Sequence, residues 1–358
     1  MNRYDRQIRL NGFGPDKQDL LREAAVLVVG AGGLGVPVLQ YLTAMGVGKL
    51  GIIEQDAISL TNLHRQVLYR TEDDGKPKLQ TAINRLKELN PEVNLVPHNT
   101  FLTTANALDI VAQYDLVVDC SDNFGTRYLV NDACVILGRP FVSGAIFEFE
   151  GQVSVFNYQG SATYRCLFPE PGIAPDCNAV GVLGILPGIV GCYQANEAVK
   201  VICHIGEPLA NQLLTINILD NTHQIFTFQN IPANHKISEL QESYGDSVCD
   251  PQHMQHLSVE ELQQWLEQGI DFQLVDVREK EEWEICHIDG ALHIPMRRIE
   301  ASIAGLAKKK PVAVICHHGM RSKAVAQQLV QSGFNEVFNV TGGIHAWALE
   351  IDRNMNVY

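Results

Sequence analysis

What the 358-residue sequence lacks narrows the reading first. It lacks a surplus of positive charge, because 27 lysines and arginines face 41 aspartates and glutamates for a net charge of −14. A nucleic acid is therefore a poor main partner, since phosphate backbones are held by positive surface. The plain consequence of the acidity is solubility. The opening residues Met1-Asn2-Arg3-Tyr4-Asp5-Arg6 lack the apolar core of an export signal. The longest apolar stretch, Val180 to Ile205, is interrupted by Gln194, Asn196, Glu197 and Lys200, which suits a buried helix better than a membrane span. Nine cysteines are scattered along the chain in odd number, so a disulfide framework is not expected. A cytoplasmic protein with reduced thiols and no membrane contact is the expectation. There is no internal repeat, no low-complexity tract and no Gly-x-x-x-x-Gly-Lys-Ser/Thr, so the common ATPase phosphate loop is excluded.

What remains is an ordinary globular composition, 46% hydrophobic and 19% charged, in a chain long enough for two domains. Ala24 to Val29 is a short apolar run leading into glycines, as a buried parallel strand would be. Strands are also expected at Lys49 to Glu54 and Asp115 to Asp119, with helices starting near Leu34 and over Thr81 to Leu89. Alternating strands and helices predict an α/β fold with parallel strands, whose ligands collect at the carboxyl ends. The polar residues Glu54, Asp56, Asp119 and Asp122 fall there. Periodicity then fails, so residues 233–256 are read as a linker between a domain at 1–232 and a second at 257–358. The second domain opens with a capping box, Ser258-x-x-Glu261. It continues as a small α/β unit with strands at Phe272 to Val277 and Val312 to Ile315, then a helix over Arg321 to Gln331.

Gly30-Ala31-Gly32-Gly33-Leu34-Gly35 follows the first strand and precedes a helix. Glycines permit a tight turn and close backbone approach, and the helix N-terminus meets phosphate with free N–H groups. Glu54, about twenty residues on, is placed to accept hydrogen bonds from ribose hydroxyls. By itself this loop fits a dehydrogenase about as well as a nucleotidyl transferase. Around it stand Thr61-Asn62-Leu63-His64-Arg65-Gln66, Lys78, Asp119-Cys120-Ser121-Asp122-Asn123 and Arg127. Hydride transfer needs neither a lysine–arginine pair for polyphosphate nor an acid for magnesium. Adenylyl transfer needs both, because charge builds on the departing pyrophosphate.

These residues resemble the ThiF/MoeB/HesA family, relatives of ubiquitin-activating enzymes. The matching features are Arg3-Tyr4-x-Arg6-Gln7, the Gly-x-Gly-Gly-x-Gly loop, Asn62-Leu63-x-Arg65-Gln66 and Asp122-Asn123-x-x-x-Arg127, over about residues 1 to 230. The resemblance implies a Rossmann-like ATP-binding domain with a mixed sheet. It implies that Gly30, Gly32, Gly33, Gly35, Gln66 and Asn123 line the nucleotide site and that Glu54 holds the ribose. Asn62, Arg65 and Lys78 would hold the phosphates and Asp122 would bind Mg²⁺. Arg6 would reach into the partner subunit's site, implying a homodimer. The group adenylated in this family is the C-terminal glycine carboxylate of a small ubiquitin-like protein. The family usually carries Cys-x-x-Cys half-sites for zinc, but here Thr163 precedes Cys166 and Pro232-Ala233-Asn234-His235 offers no second pair. Four tetrahedral ligands are needed, so zinc is expected to be absent and Cys166 to be a packed core cysteine. Cys177 matches the position of a family cysteine that bonds covalently to the carrier.

A second loop, Cys316-His317-His318-Gly319-Met320-Arg321-Ser322, follows an apolar strand and opens a helix. Consecutive backbone N–H groups, a helix N-terminus and a guanidinium make a nest for an anion and favour thiolate. A persulfide carrier or a phosphatase would suit this. Four residues separate Cys316 from Arg321, whereas phosphatase loops have five to fit the larger phosphate, so the shorter ring favours sulfur. Val275-Asp276-Val277-Arg278-Glu279, His287-Ile288-x-Gly290-Ala291 and Gly342-Gly343-Ile344-x-Ala346-Trp347 complete a resemblance to the rhodaneses over about residues 257 to 350. It implies that Cys316 bears a persulfide and that Arg321 helps to hold the loop and its anion. Asp276 and Arg278 would shape the fold, and His317 and His318 would be exposed.

Together the two resemblances imply an enzyme that adenylates a sulfur-carrier protein ending in Gly-Gly and then attacks the acyl-adenylate with the Cys316 persulfide. Cys177 would attack the resulting acyl-disulfide, freeing a thiocarboxylate. ATP and Mg²⁺ are the implied cofactors, and a cysteine desulfurase or thiosulfate the implied sulfur donor. Two alternatives stand beside this: an activating enzyme that ends at a Cys177 thioester, and a nicotinamide-dependent oxidoreductase with a binding module. Molybdenum-cofactor, thiamine, tRNA-thiolation and cysteine pathways all use such carriers.

Overall fold

Short runs of aliphatic and β-branched residues, buried on both faces, form the centre of each sheet. The computed structural model describes residues 3–169, 181–244 and 254–356, and separates into two units at 1–248 and 249–358. In the first unit eight strands form one sheet. These are β1 (Ala25–Val29), β2 (Lys49–Ile53), β3 (Asn94–His98), β4 (Leu116–Asp119), β5 (Phe141–Phe147), β6 (Glu150–Phe156), β7 (Gln212–Asn217) and β8 (Thr222–Thr227). Their order is β3-β2-β1-β4-β5-β6-β7-β8. The five strands from β3 to β5 are parallel, and β6, β7 and β8 add antiparallel pairs. The sheet is therefore mixed, with one apolar core on each face.

The order in which strands are added reverses at β1, which lies between β2 and β4. The loops after β1 and β4 consequently flank one crevice, the place where open α/β sheets bind ligands. The helix Gly35–Met45 follows the glycine loop. The helix Lys78–Leu89 starts three residues before the apolar period suggests. Its start is set by Pro77, which cannot donate a backbone N–H, and by Lys78 N bonding to Asp56 O. The apolar stretch around residue 190 is the helix Ile185–Cys203, which ends where His204 turns left-handed at φ 51°. Among the described residues no helix is long and apolar enough to cross a membrane.

Beyond β8 the chain stays on the first unit as far as it is described. Tyr244 is buried and donates to Asp132 Oδ2 at 2.8 Å. Asp132 also takes two bonds from Arg165, each 2.8 Å. The second unit is a five-stranded parallel sheet of β9 (Met254–Leu257), β10 (Gln273–Asp276), β11 (Leu292–His293), β12 (Val312–Ile315) and β13 (Val337–Val340), ordered β11-β10-β12-β13-β9. Residues 254–256, read from sequence as linker, thus form an edge strand that pairs with β13. Ser258 and Glu261 make both bonds of the capping box that starts the helix Val259–Glu267. Asp276 and Arg278 form a fully buried ion pair at 2.7 Å, and Arg278 also donates to Cys286 O. A buried guanidinium needs such partners to offset its lost hydration.

Candidate functional site

The glycine loop is shaped by close backbone approach. A Cβ at Gly35 would lie 1.9 Å from Gly30 O, so no other residue fits without moving the loop. Glu54, at the end of β2, is buried and accepts from Ala31 N at 3.1 Å and from the N–H groups of Gln55 and Asp56 at 2.9 Å each. Its carboxylate thus braces the loop, a role that sequence spacing did not disclose. Tyr69 donates to Ala31 O at 2.8 Å, and burial, with Glu54 nearby, pushes its hydroxyl pKa up.

Side chains expected to hold phosphate gather round this loop. Arg65 packs its Cδ 3.5 Å from where a Cβ on Gly33 would stand, and Gln66 Nε2 lies equally close to Gly32. The backbone N–H groups of Arg65 and Gln66 both bond Asn62 O. Burial lowers the Arg65 pKa, and the nearby Asp122 carboxylate opposes that shift. Asp122 is exposed, whereas Asn123 caps the helix Phe124–Leu137 by accepting from Thr126 N at 2.8 Å. Lys78 is buried and pairs with Asp56 at 3.2 Å, which ties it through Asp56 and Glu54 to the loop. Arg6 stands exposed on the helix Asp5–Ile8.

Beneath the crevice Asp119, noted in the sequence, meets Gln194, whose part there sequence reasoning passed over. Gln194 donates to Asp119 O at 2.6 Å, using the space left by Gly144. Asp119 itself is fully buried, and burial raises its pKa while Arg127 and Ser121 oppose the rise. Its Oδ2 has no hydrogen-bond partner among the described residues.

The donors near Cys166 differ from those of a tetracysteine zinc site. Cys166 is half-buried rather than packed in the core, which corrects the sequence expectation. Its Sγ accepts from Ile231 N at 3.3 Å and Asn234 Nδ2 at 3.5 Å, and Thr163 Oγ1 lies 3.4 Å away. Burial raises its pKa, but these hydrogen bonds outweigh it and the net shift is downward. His235 Nε2 is engaged by Asn230 at 2.8 Å. Among the described residues, one thiol, amides and a hydroxyl meet there, short of the four ligands of a zinc set. Cys177 lies outside the described residues.

In the second unit, β12 delivers Cys316 to the loop before the helix Met320–Gln331. The thiol is buried, with Gly319 N donating to Sγ at 3.1 Å. Ser322 Oγ lies 3.3 Å from Sγ and 2.7 Å from Asn339 Oδ1, so its single proton serves one of them at a time. Arg321 points its guanidinium at Glu282, making two bonds of 2.6 Å. Hydrogen bonds from Arg321 are the main reason that the Glu282 carboxyl is held down at about 2, against the opposing effect of burial. The loop is fastened from behind by Ile344 N to Cys316 O at 2.8 Å and His345 N to His317 O at 3.1 Å. His317 is half-buried rather than exposed and stacks on exposed His318, with ring centroids 4.0 Å apart. Burial lowers the pKa of both imidazoles, and neighbouring cationic groups reinforce the shift. Ser322, adjacent to the noted arginine, was the one added partner with a local signal. Glu282 and Asn339 meet the loop only through the fold.

Comparison with known proteins follows the same division. The ThiF family pattern matches residues 4–239, and that of the rhodanese-like domain matches 258–350. A probable adenylyltransferase/sulfurtransferase MoeZ of Mycobacterium tuberculosis is 38% identical over 371 residues, covering 99% of this chain and 95% of the relative. The adenylyltransferase and sulfurtransferase MOCS3 of Sus scrofa is 37% identical over 99% of this chain and 87% of its own length. A sulfur carrier protein adenylyltransferase of Thermus thermophilus reaches 52% identity over 65% of this chain and 89% of the relative. Among solved structures, E. coli MccB with MccA-N7isoAsn superposes at TM-score 0.60 with 23% identity, covering 66% of this chain and 74% of that one. That likeness is one of fold.

Proposed function

The chain belongs to the ThiF family and is an adenylyltransferase joined to a sulfurtransferase; from that premise we propose that it converts the C-terminal glycine of a small ubiquitin-like sulfur carrier into a thiocarboxylate. In the first step the carrier's carboxylate attacks the α-phosphorus of ATP and pyrophosphate departs. The glycine loop offers its N–H groups to phosphate, and Arg65 and Lys78 offset the charge on the leaving group. Glu54 sets the loop and turns a remaining lone pair to a ribose hydroxyl. Asp122, an exposed carboxylate beside Arg65, fits a Mg²⁺ ligand, and such an ion would neutralise phosphate charge. Gln66, Asn62 and Asn123 border this site, and Arg6 completes it in a homodimer. We read the donors described around Cys166 as falling short of a four-ligand structural zinc set.

In the second step a persulfide on Cys316, loaded by a cysteine desulfurase or thiosulfate, attacks the acyl carbon. AMP leaves, and an acyl-disulfide joins Cys316 to the carrier. A thiolate, which we assign to Cys177, then attacks Cys316 Sγ. The sulfur–sulfur bond breaks, the carrier departs as thiocarboxylate, and the new disulfide is reduced by an external thiol. The supporting observation is the pairing, in one chain, of a glycine cradle walled by Arg65 with a cysteine loop whose donors converge on Cys316 Sγ. Cys316→Ala should retain carrier-dependent ATP–pyrophosphate exchange and yield no thiocarboxylate. Loss of exchange with sulfur transfer intact would reverse this assignment of steps.

A further inference from the structure

Two imidazoles of the Cys316 loop converge with a third from the neighbouring turn, and the sulfur chemistry uses none of them. One ligand nitrogen from each of His317, His318 and His345 lies within 4.8 Å of the other two. His345 comes from a different segment of chain, and its ring centroid is 4.7 Å from that of His318 and 5.7 Å from that of His317. The backbone fixes this meeting, because His345 N bonds His317 O at 3.1 Å. Gly343 lets the two segments close, since a Cβ there would stand 2.3 Å from His317 O. His345 Nδ1 is buried and has no hydrogen-bond partner among the described residues. A buried polar nitrogen normally has a partner, so an unsatisfied Nδ1 beside this cluster is something a bound ligand would explain.

We propose that His317, His318 and His345 form a binding site for one first-row divalent metal ion of the Zn²⁺ class. Two nitrogens on one tetrahedral Zn²⁺ are about 3.3 Å apart at bond lengths of about 2.0 Å, so small side-chain rotations bring the three rings to a common ion. Imidazole suits zinc, copper and nickel, whereas magnesium and calcium prefer oxygen. With three protein ligands the fourth position is open to water or an anion. The site shares no residue with the Cys166 segment, and it needs no zinc there. An ion bound here would join the segment after Cys316 to the turn at 342–345 and place positive charge beside the sulfur-bearing loop.

The test is titration of Zn²⁺ into the untagged full chain, in competition with a chromophoric chelator, at neutral pH and with a non-chelating reductant. One equivalent should bind to the wild type and to Cys316→Ser alike. His318→Ala, which alters an exposed side chain, and His345→Ala should each weaken that equivalent more than the roughly 10–100-fold typical of losing an outer-shell partner. Zn²⁺ should also raise the thermal midpoint of the wild type but not of His318→Ala, since binding only the folded chain stabilises it. Binding that weakens by less than about 100-fold in either histidine variant, or that is lost in Cys316→Ser, overturns the proposal.

Discussion

At Arg65 two influences oppose each other, burial weakening the charged form and Asp122 supporting it. A guanidinium held against a glycine loop in this way is preorganised for charge that appears during reaction. Arg65→Ala should therefore lower carrier-dependent pyrophosphate exchange by roughly 10²–10³-fold. Arg65→Lys should recover only part of it, because a lysine lacks the planar fork. Exchange at the wild-type rate in Arg65→Ala would remove it from the phosphate site. Glu282 permits a second prediction at this scale. Its folded pKa of about 2 lies below the usual 4.5, so the stability it contributes is complete above pH 4.5 and is lost as pH falls through about 2. The gap in urea midpoint between the wild type and Glu282→Gln should be widest above pH 4.5 and close on acidification. A gap that does not vary with pH would deny the Arg321 pairing its role. That the glycines lie in a loop after β1 and Cys316 in a loop after β12 was legible in residue type and local spacing. Glu282, 39 positions from Arg321, and Gln194, 75 positions from Asp119, were not, since only the fold joins them.

Among the elements, the short apolar runs that became β1, β2, β4, β10 and β12 were readable, because a strand buried on both faces has few other sequences open to it. The antiparallel strands β6, β7 and β8 escaped notice. Residues of β8 are exposed throughout, including Ile225 and Phe226, so no alternation of buried and exposed positions marks it. β9 is four residues long and gains its identity only from pairing with β13. The turn at Gly342-Gly343 was visible as a motif, but its work was not. It lies under the Cys316 loop, with Gly343 at φ +62° and its missing Cβ facing two carbonyl oxygens. Gly343→Ala should destabilise the chain by about 1–3 kcal/mol, as overpacking commonly does, and should lower thiocarboxylate yield while pyrophosphate exchange continues. Urea unfolding and the two assays check this. An unchanged midpoint with full sulfur transfer would show that the turn has slack.

On the scale of the whole molecule, acidity, length and the order of the motifs were enough to anticipate an α/β adenylation domain followed by a small sulfur-transfer domain. The extent of each unit was harder to read, because the stretch from 233 to 244 has no period yet is held to the first unit by Tyr244 and Asp132. Two units with separate chemistry make sense in one chain if the product of the first is the substrate of the second. The central claim is that the activated carrier receives sulfur through Cys316, and intact-mass spectrometry of the carrier addresses it most directly. A Gly-Gly-ended carrier incubated with ATP, Mg²⁺, a sulfur donor, reductant and the wild-type enzyme should gain the mass of one sulfur in place of one oxygen. With Cys316→Ala it should not. A carrier that gains sulfur equally with both enzymes, or that is recovered only as a thioester on the enzyme, would contradict that claim.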